Sequence, residues 1–88
     1  MSRNFTAESA AQIITLAFTP LRCVAEPWDY GHRVRFRIFD GSDKPVLTID
    51  ELVKHQFADA MSLESAINAA RSILRERGFS LAPWVFPK

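Results

Sequence analysis

Arginine stands at every second position of one short run, Arg33-Val34-Arg35-Phe36-Arg37, with Trp28, Tyr30 and Phe39 close by. Alternation of this kind puts three guanidinium groups on one face of a strand. An open sheet face of arginines and aromatic rings can hold single-stranded nucleic acid, guanidinium to phosphate and ring to base. The same row also suits the solvated outer face of a half-buried sheet, where acids across the strand answer the arginines. Glu26 is spaced to meet Arg35, Asp50 to meet Arg33, and Trp28 to lie under Arg33 as a cation–π contact. Arg37, flanked by Val24 and Val46, has no acidic neighbour. The solvated face is the favoured reading.

The remaining reactive side chains are few. Cys23, His32 and His55 are the only soft ligands, and their spacing matches no zinc motif. Cys23 falls on an apolar strand face, where a thiol acts as a small core residue and is inaccessible as a nucleophile. Asp40, Asp43, Asp50, Glu51 and Asp59 form no acid/base pair, and two of them occupy a turn, where aspartate serves local hydrogen bonding. The three glycines each have a turn or cap to make, which leaves none for a phosphate loop. No catalytic, cofactor-binding or metal-binding residue is assigned, no cofactor is called for, and no enzyme activity is expected.

Two amphipathic helices and three strands would have to position these groups. From Ser62 to Phe79, Leu63, Ala66, Ile67, Ala70, Ile73 and Leu74 share one side of a helix; Glu64, Asn68, Arg71, Ser72, Arg75 and Glu76 share the other. Ser62 is the expected N-cap, Gly78 the left-handed residue that ends the helix, and Phe79 should fold back onto Leu74. Phe5 to Phe18 predicts an earlier helix, capped by Thr6 and stopped by Pro20, with an alanine-rich stripe that permits close approach. Between them, Leu21–Trp28 and Arg33–Phe39 alternate as strands. A four-residue loop at Asp29–His32 sets Ala25 opposite Phe36 and Cys23 opposite Ile38. A two-residue loop at Gly41-Ser42 would set Phe36 opposite Leu47, Val34 opposite Ile49 and Arg33 opposite Asp50. Residues 50–57 suit either a continued third strand to about Val53 or a short helix. The strand is favoured, followed by a loop around Phe57–Ser62.

The fold class is therefore α+β: a three-stranded antiparallel meander with two helices on one face, in the order α-β-β-β-α. Eighty-eight residues make one small domain, 1–88, with 79–88 as an apolar C-terminal tail. Net charge is +1, which gives no bulk attraction to nucleic acid or membrane. No apolar run reaches the roughly 20 residues of a membrane span. Met1-Ser2-Arg3-Asn4 does not open a leader peptide, and a cytoplasmic protein is expected.

The element order is that of double-stranded RNA-binding domains. Their binding residues are missing: Ser62-Leu63-Glu64-Ser65 is acidic where that family places lysines, and Asp29-Tyr30-Gly31-His32 lacks its Gly-Pro loop. A second set of residues covers most of the chain: Ile14 to Pro20 with a phenylalanine before the proline, a hairpin at Asp40-Gly41, and Gln56-Phe57-Ala58-Asp59 running into Leu63-Glu64, Ile67, Arg71 and Leu74. It resembles a family of small uncharacterised pseudomonad proteins, which implies the same element order and no activity. The expected function is that of a small non-catalytic interaction domain, self-associating as a homodimer or binding another protein. Its expected surface comprises Trp28, Arg35, Arg37, Phe39, Trp84, Val85 and Phe86. The alternative is a nucleic-acid-binding module using the arginine row.

Overall fold

Helix α1 (Ala7–Thr15) begins where Thr6 closes its first turn. The Ser9 amide donates to Thr6 Oγ1 at 3.1 Å and the Thr6 amide donates to Ser9 Oγ at 3.0 Å. This is a capping box in which serine takes the usual place of glutamate. Its stripe of Ala7, Ala10, Ala11 and Ile14 is buried, and Leu16, on the polar side, is exposed. In this computed structural model, which describes residues 4–87, the regular helix stops earlier than its periodicity predicts. Turns carry the chain through the fully buried Phe18 to Pro20. Met1, Ser2, Arg3 and Lys88, on which the reading of the N-terminus and the end of the tail partly rest, lie outside the described residues.

Strands β1 (Arg22–Trp28), β2 (Arg33–Phe39) and β3 (Pro45–Val53) form an open antiparallel sheet in sequence order. The first hairpin has the predicted register, with Cys23 opposite Ile38, Ala25 opposite Phe36, Glu26 opposite Arg35 and Trp28 opposite Arg33. Its loop needs positive φ at three successive residues, Asp29, Tyr30 and Gly31; aspartate tolerates that region and glycine has no Cβ to oppose it.

The second hairpin departs from expectation. Its loop spans residues 40–44, with Phe39 opposite Pro45, so that Phe36 meets Ile49 and Ile38 meets Leu47. Asp40 causes this: its carboxylate accepts from the Ser42 and Lys44 amides at 2.8 and 3.0 Å, while Asp43 takes the positive φ that a two-residue turn would have given to Gly41. The pairing moves by two residues, an even step, so the apolar residues keep their face. Register shifts occur between Val34 and Phe36 and between Ile38 and Phe39. At the first, Asp50 and Glu51 together oppose Arg35. This bulge resets the alternation and turns Leu52 into the core, where it is 5% exposed.

A four-residue helix, α2 (Lys54–Phe57), follows β3 directly and buries Phe57. Both readings of residues 50–57 are thus partly realised, strand to Val53 and then helix. Helix α3 (Ala60–Glu76) starts two residues before Ser62 because Asp59 is the N-cap, accepting from the Ser62 amide at 3.1 Å. Ser62 is the third residue of the helix. At the other end Gly78, at φ +94, donates to Arg75 O while the Phe79 amide donates to Leu74 O. That is the Schellman geometry its sequence predicts.

The core lies between the sheet and the helices. Ala10, Ile14 and Phe18 from the α1 side meet Val34, Phe36 and Ile38 from β2 and Leu63, Ile67 and Leu74 from α3. Among the described residues no helix lies over the outer face of the sheet. The result is a small α+β domain in the order α-β-β-β-α, with the added turn of α2.

Candidate functional site: the outer face of the sheet

Strand alternation sends Arg22, Val24, Glu26 and Trp28 of β1 outward beside Arg33, Arg35, Arg37 and Phe39 of β2, with Thr48 of β3 opposite Arg37. The arginines are largely answered by the chain's own acids. Arg35 Nε meets Glu26 Oε1 at 2.7 Å, and Arg22 Nε meets Asp43 Oδ1 at 3.2 Å. Arg33 pairs with Glu51 and, at 3.3 Å, with Asp29. The expected partner, Asp50, is displaced by the bulge, which brings Glu51 to Arg33 instead. Exposed pairs of this kind contribute at most about 1 kcal/mol each. Their main consequence is electrostatic, since they cancel charge that a phosphate would need. Among the described residues Arg37 is the one arginine of the row without an acidic partner.

Aromatic rings sit among these pairs. The Arg22 guanidinium lies 4.1 Å from the Phe39 ring centroid. Those of Arg33 and Arg35 each lie 5.5 Å from that of Trp28. Trp28 Nε1 is buried with no hydrogen-bond partner among the described residues. A shallow cleft of about 370 Å³ crosses this face, lined by Val24, Arg35, Arg37, Phe39, Thr48 and Asp50. It offers apolar surface at Val24 and Phe39, the guanidinium of Arg37, and the carboxylates of Asp50 and of Glu26, the latter paired with Arg35. Such a surface can receive a side chain or an extended backbone. Val24 belongs to it as much as Arg35 and Arg37 do, and the alternation of β1 was the signal that would have added it.

Trp28, Arg35, Arg37 and Phe39 are therefore brought together, while Trp84, Val85 and Phe86 lie elsewhere. The Ala82 amide donates to Thr19 O at 2.8 Å, beside the cis Thr19–Pro20 bond, and the Phe86 ring meets Phe5 edge-on at 5.8 Å. The tail thus runs back past α1, from its last turn to its start. Trp84 stands edge-on to Phe86 at 5.9 Å, and both are half-buried against the core; Val85 is exposed.

Arg71 anchors this arrangement. Sequence periodicity places it on the polar side of its helix, yet it is only 6% exposed. Its guanidinium donates to Ala17 O at 2.6 Å and to Ala82 O at 2.8 Å, and lies 6.0 Å from the Trp84 ring. Burial, with a smaller effect of the nearby Arg75 charge, lowers its pKa. Its position four residues after Ile67 and three before Leu74, at the margin of the apolar stripe, was the signal for its burial.

His32 and His55 are exposed, and no group of three His, Cys, Asp or Glu side chains among the described residues could hold a metal ion. The carboxyls of Asp40 and Asp59 are held below the usual range, Asp40 by the Lys44 and Ser42 amides and Asp59 by the Ser62 hydroxyl and amide. Each therefore contributes stability that is present at neutral pH and is lost as pH falls through the lowered value.

Cys23 is buried, and burial pushes its thiol from 9.0 up to about 12. Above pH 9 the unfolded chain loses this proton while the folded chain keeps it, so stability falls as pH rises. Between pH 8 and pH 10 the expected loss from Cys23 is about 1.4 kcal/mol. Urea titrations of the wild type and Cys23→Ala at both pH values check this: the excess loss should vanish in the variant.

The site and fold together define an open three-stranded sheet, backed by helices on one face and bearing an amphiphilic, largely charge-paired surface on the other. Comparison with protein-family models, with curated proteins and with solved structures finds no match for this chain. No helix of the described residues is long and apolar enough to cross a membrane.

Proposed function

We propose that this chain is a small non-catalytic interaction domain of the cytoplasm that self-associates through its sheet. The observation that carries the reading is the pairing of Arg22, Arg33 and Arg35 with Asp43, Glu51 and Glu26 on a face that no helix covers. A surface whose charges are answered internally, with Val24 46% exposed and Trp28 and Phe39 half-buried, suits another protein surface. Interface cores are depleted in net charge and enriched in aromatic residues and arginine. A nucleic-acid binder would instead leave its cations free for phosphate, and in this row that description fits Arg37 alone. The resemblance to small uncharacterised pseudomonad proteins belongs to the same proposal and adds no activity to it.

Sedimentation velocity from micromolar to near-millimolar concentration tests the reading. The sedimentation coefficient is expected to rise with concentration. A parallel titration with a single-stranded oligonucleotide at low salt is expected to show no binding. Salt-sensitive binding that weakens in Arg35→Ala and Arg37→Ala would transfer the function to nucleic acid.

A further inference from the structure

We infer that two copies of the chain join through their β1 edges, antiparallel and centred on Val24, to make one six-stranded sheet. This rests on the self-association proposed above and specifies its surface and register.

The sheet has two open edges, β1 and β3, and they differ. Strand β3 begins at Pro45, carries both register shifts and gives its Val46 carbonyl to Arg77. Bulges, proline and covering groups are the devices by which proteins blunt an edge. Strand β1 pairs with β2 without a shift over its whole length, and its one proline lies near its end.

Pro27 also tells which backbone groups face outward. Having no N–H, it belongs where that group would point away from β2. Alternation then turns the N–H and C=O groups of Cys23 and Ala25 to the open edge. Leu21, two residues before Cys23, agrees: its amide bonds to Phe18 O and not to β2. Among the described residues no backbone group outside the sheet bonds to Cys23 or Ala25. Unpaired strand edges of this kind are templates for a further strand.

Charge and amide pattern select a second copy as that strand. With Val24 on the two-fold axis, Cys23 faces Ala25 of the other copy in a hydrogen-bonded pair, twice over. On the outer face the exposed Val24 side chains meet each other, and Arg22 faces Glu26 of the other copy in both directions. Centring on Ala25 instead would set Val24 against Glu26 and Arg22 against Trp28. Only the first register pairs like with like and opposite charge with opposite charge.

The test uses the full chain and reads association by sedimentation equilibrium, with circular dichroism as the check on folding. Ala25→Pro removes an outward amide and leaves the β1–β2 ladder its bonds; it is expected to fold and to remain monomeric. Arg22→Glu and Glu26→Arg are each expected to weaken association about tenfold or more, by placing like charges opposite each other. The double variant R22E/E26R is expected to recover it. Both internal pairs, Arg22–Asp43 and Glu26–Arg35, stay broken in that variant, so recovery reports a contact between copies. Should Ala25→Pro fail to fold, the charge exchange and concentration-dependent protection of the Cys23 and Ala25 amides from hydrogen exchange decide. A wild type that associates while every variant associates equally well would overturn the β1 pairing and leave self-association standing through another surface. A wild type that stays monomeric throughout would overturn both. A monomer whose Cys23 and Ala25 amides become protected only on adding an extended peptide of another sequence would assign the edge to a different partner.

Discussion

Phe18→Ala is expected to destabilise the chain by about 3–5 kcal/mol and to leave much of it unfolded at 25 °C. Phe18 is fully buried, and its ring stacks on Phe36 with centroids 5.7 Å apart. It stands where α1 gives way to turns, so its side chain closes the end of the helix onto the centre of β2. Truncation removes the transfer energy of the ring and the aromatic contact, and it opens a cavity between α1 and β2. A domain of 88 residues has roughly 4–13 kcal/mol to lose in total, at about 0.05–0.15 kcal/mol per residue. Leu16→Ala is the control: Leu16 is 72% exposed and its loss should change stability by no more than about 0.5 kcal/mol. Urea denaturation followed by circular dichroism measures both. A Phe18→Ala cost below that of Leu16→Ala would mean that Phe18 is not in the core.

Arg71→Met is expected to cost roughly 3–5 kcal/mol and to free the C-terminal tail. Methionine keeps most of the aliphatic contact, so the loss reports the two charge-assisted bonds to Ala17 O and Ala82 O, at about 1.5–3 kcal/mol each. Lysine should not rescue the position. Its single ammonium cannot reach two carbonyls from different segments with the fixed fork of a guanidinium. The tail gives a second readout, because Ala82, Trp84 and Phe86 are held by the same arrangement. In Arg71→Met, limited proteolysis should cut between Phe79 and Phe86 faster than in the wild type, under conditions where circular dichroism still shows a folded sheet. Loss of stability without faster cleavage would mean that Arg71 supports the core and not the tail.

These two residues differ in how well the sequence announces them. Phe18 follows an apolar stripe into a proline, and its burial can be read from the pattern alone. Arg71 carries the most hydrophilic of side chains at a stripe margin, and its carbonyl partners come from segments with no periodicity. The two hairpins make a similar contrast. In the first, a four-residue loop suffices to set seven pairs. In the second, the Asp40 carboxylate competes with the backbone for the turn's amides and lengthens the loop, which a reading based on Gly41 does not anticipate. The apolar face survives because the displacement is even. The bulge at Asp50 and Glu51 adds an odd residue, and it decides that Leu52 rather than Val53 enters the core and that Glu51 rather than Asp50 reaches Arg33. Two capping residues three positions apart, Asp59 and Ser62, could each start α3, and the earlier one does because Ala60 and Met61 can continue the helix. The outer face was legible as a row of arginines. Its charge balance depended on partners that the loop and the bulge rearrange.

Self-association is the claim on which the functional reading stands, and molar mass by light scattering across a concentration series tests it most directly. The expected result is a mass that rises from the 10.0 kDa of the chain towards twice that value and reaches a plateau there, unchanged by added single-stranded oligonucleotide. A mass that stays at 10.0 kDa up to near-millimolar concentration would contradict it.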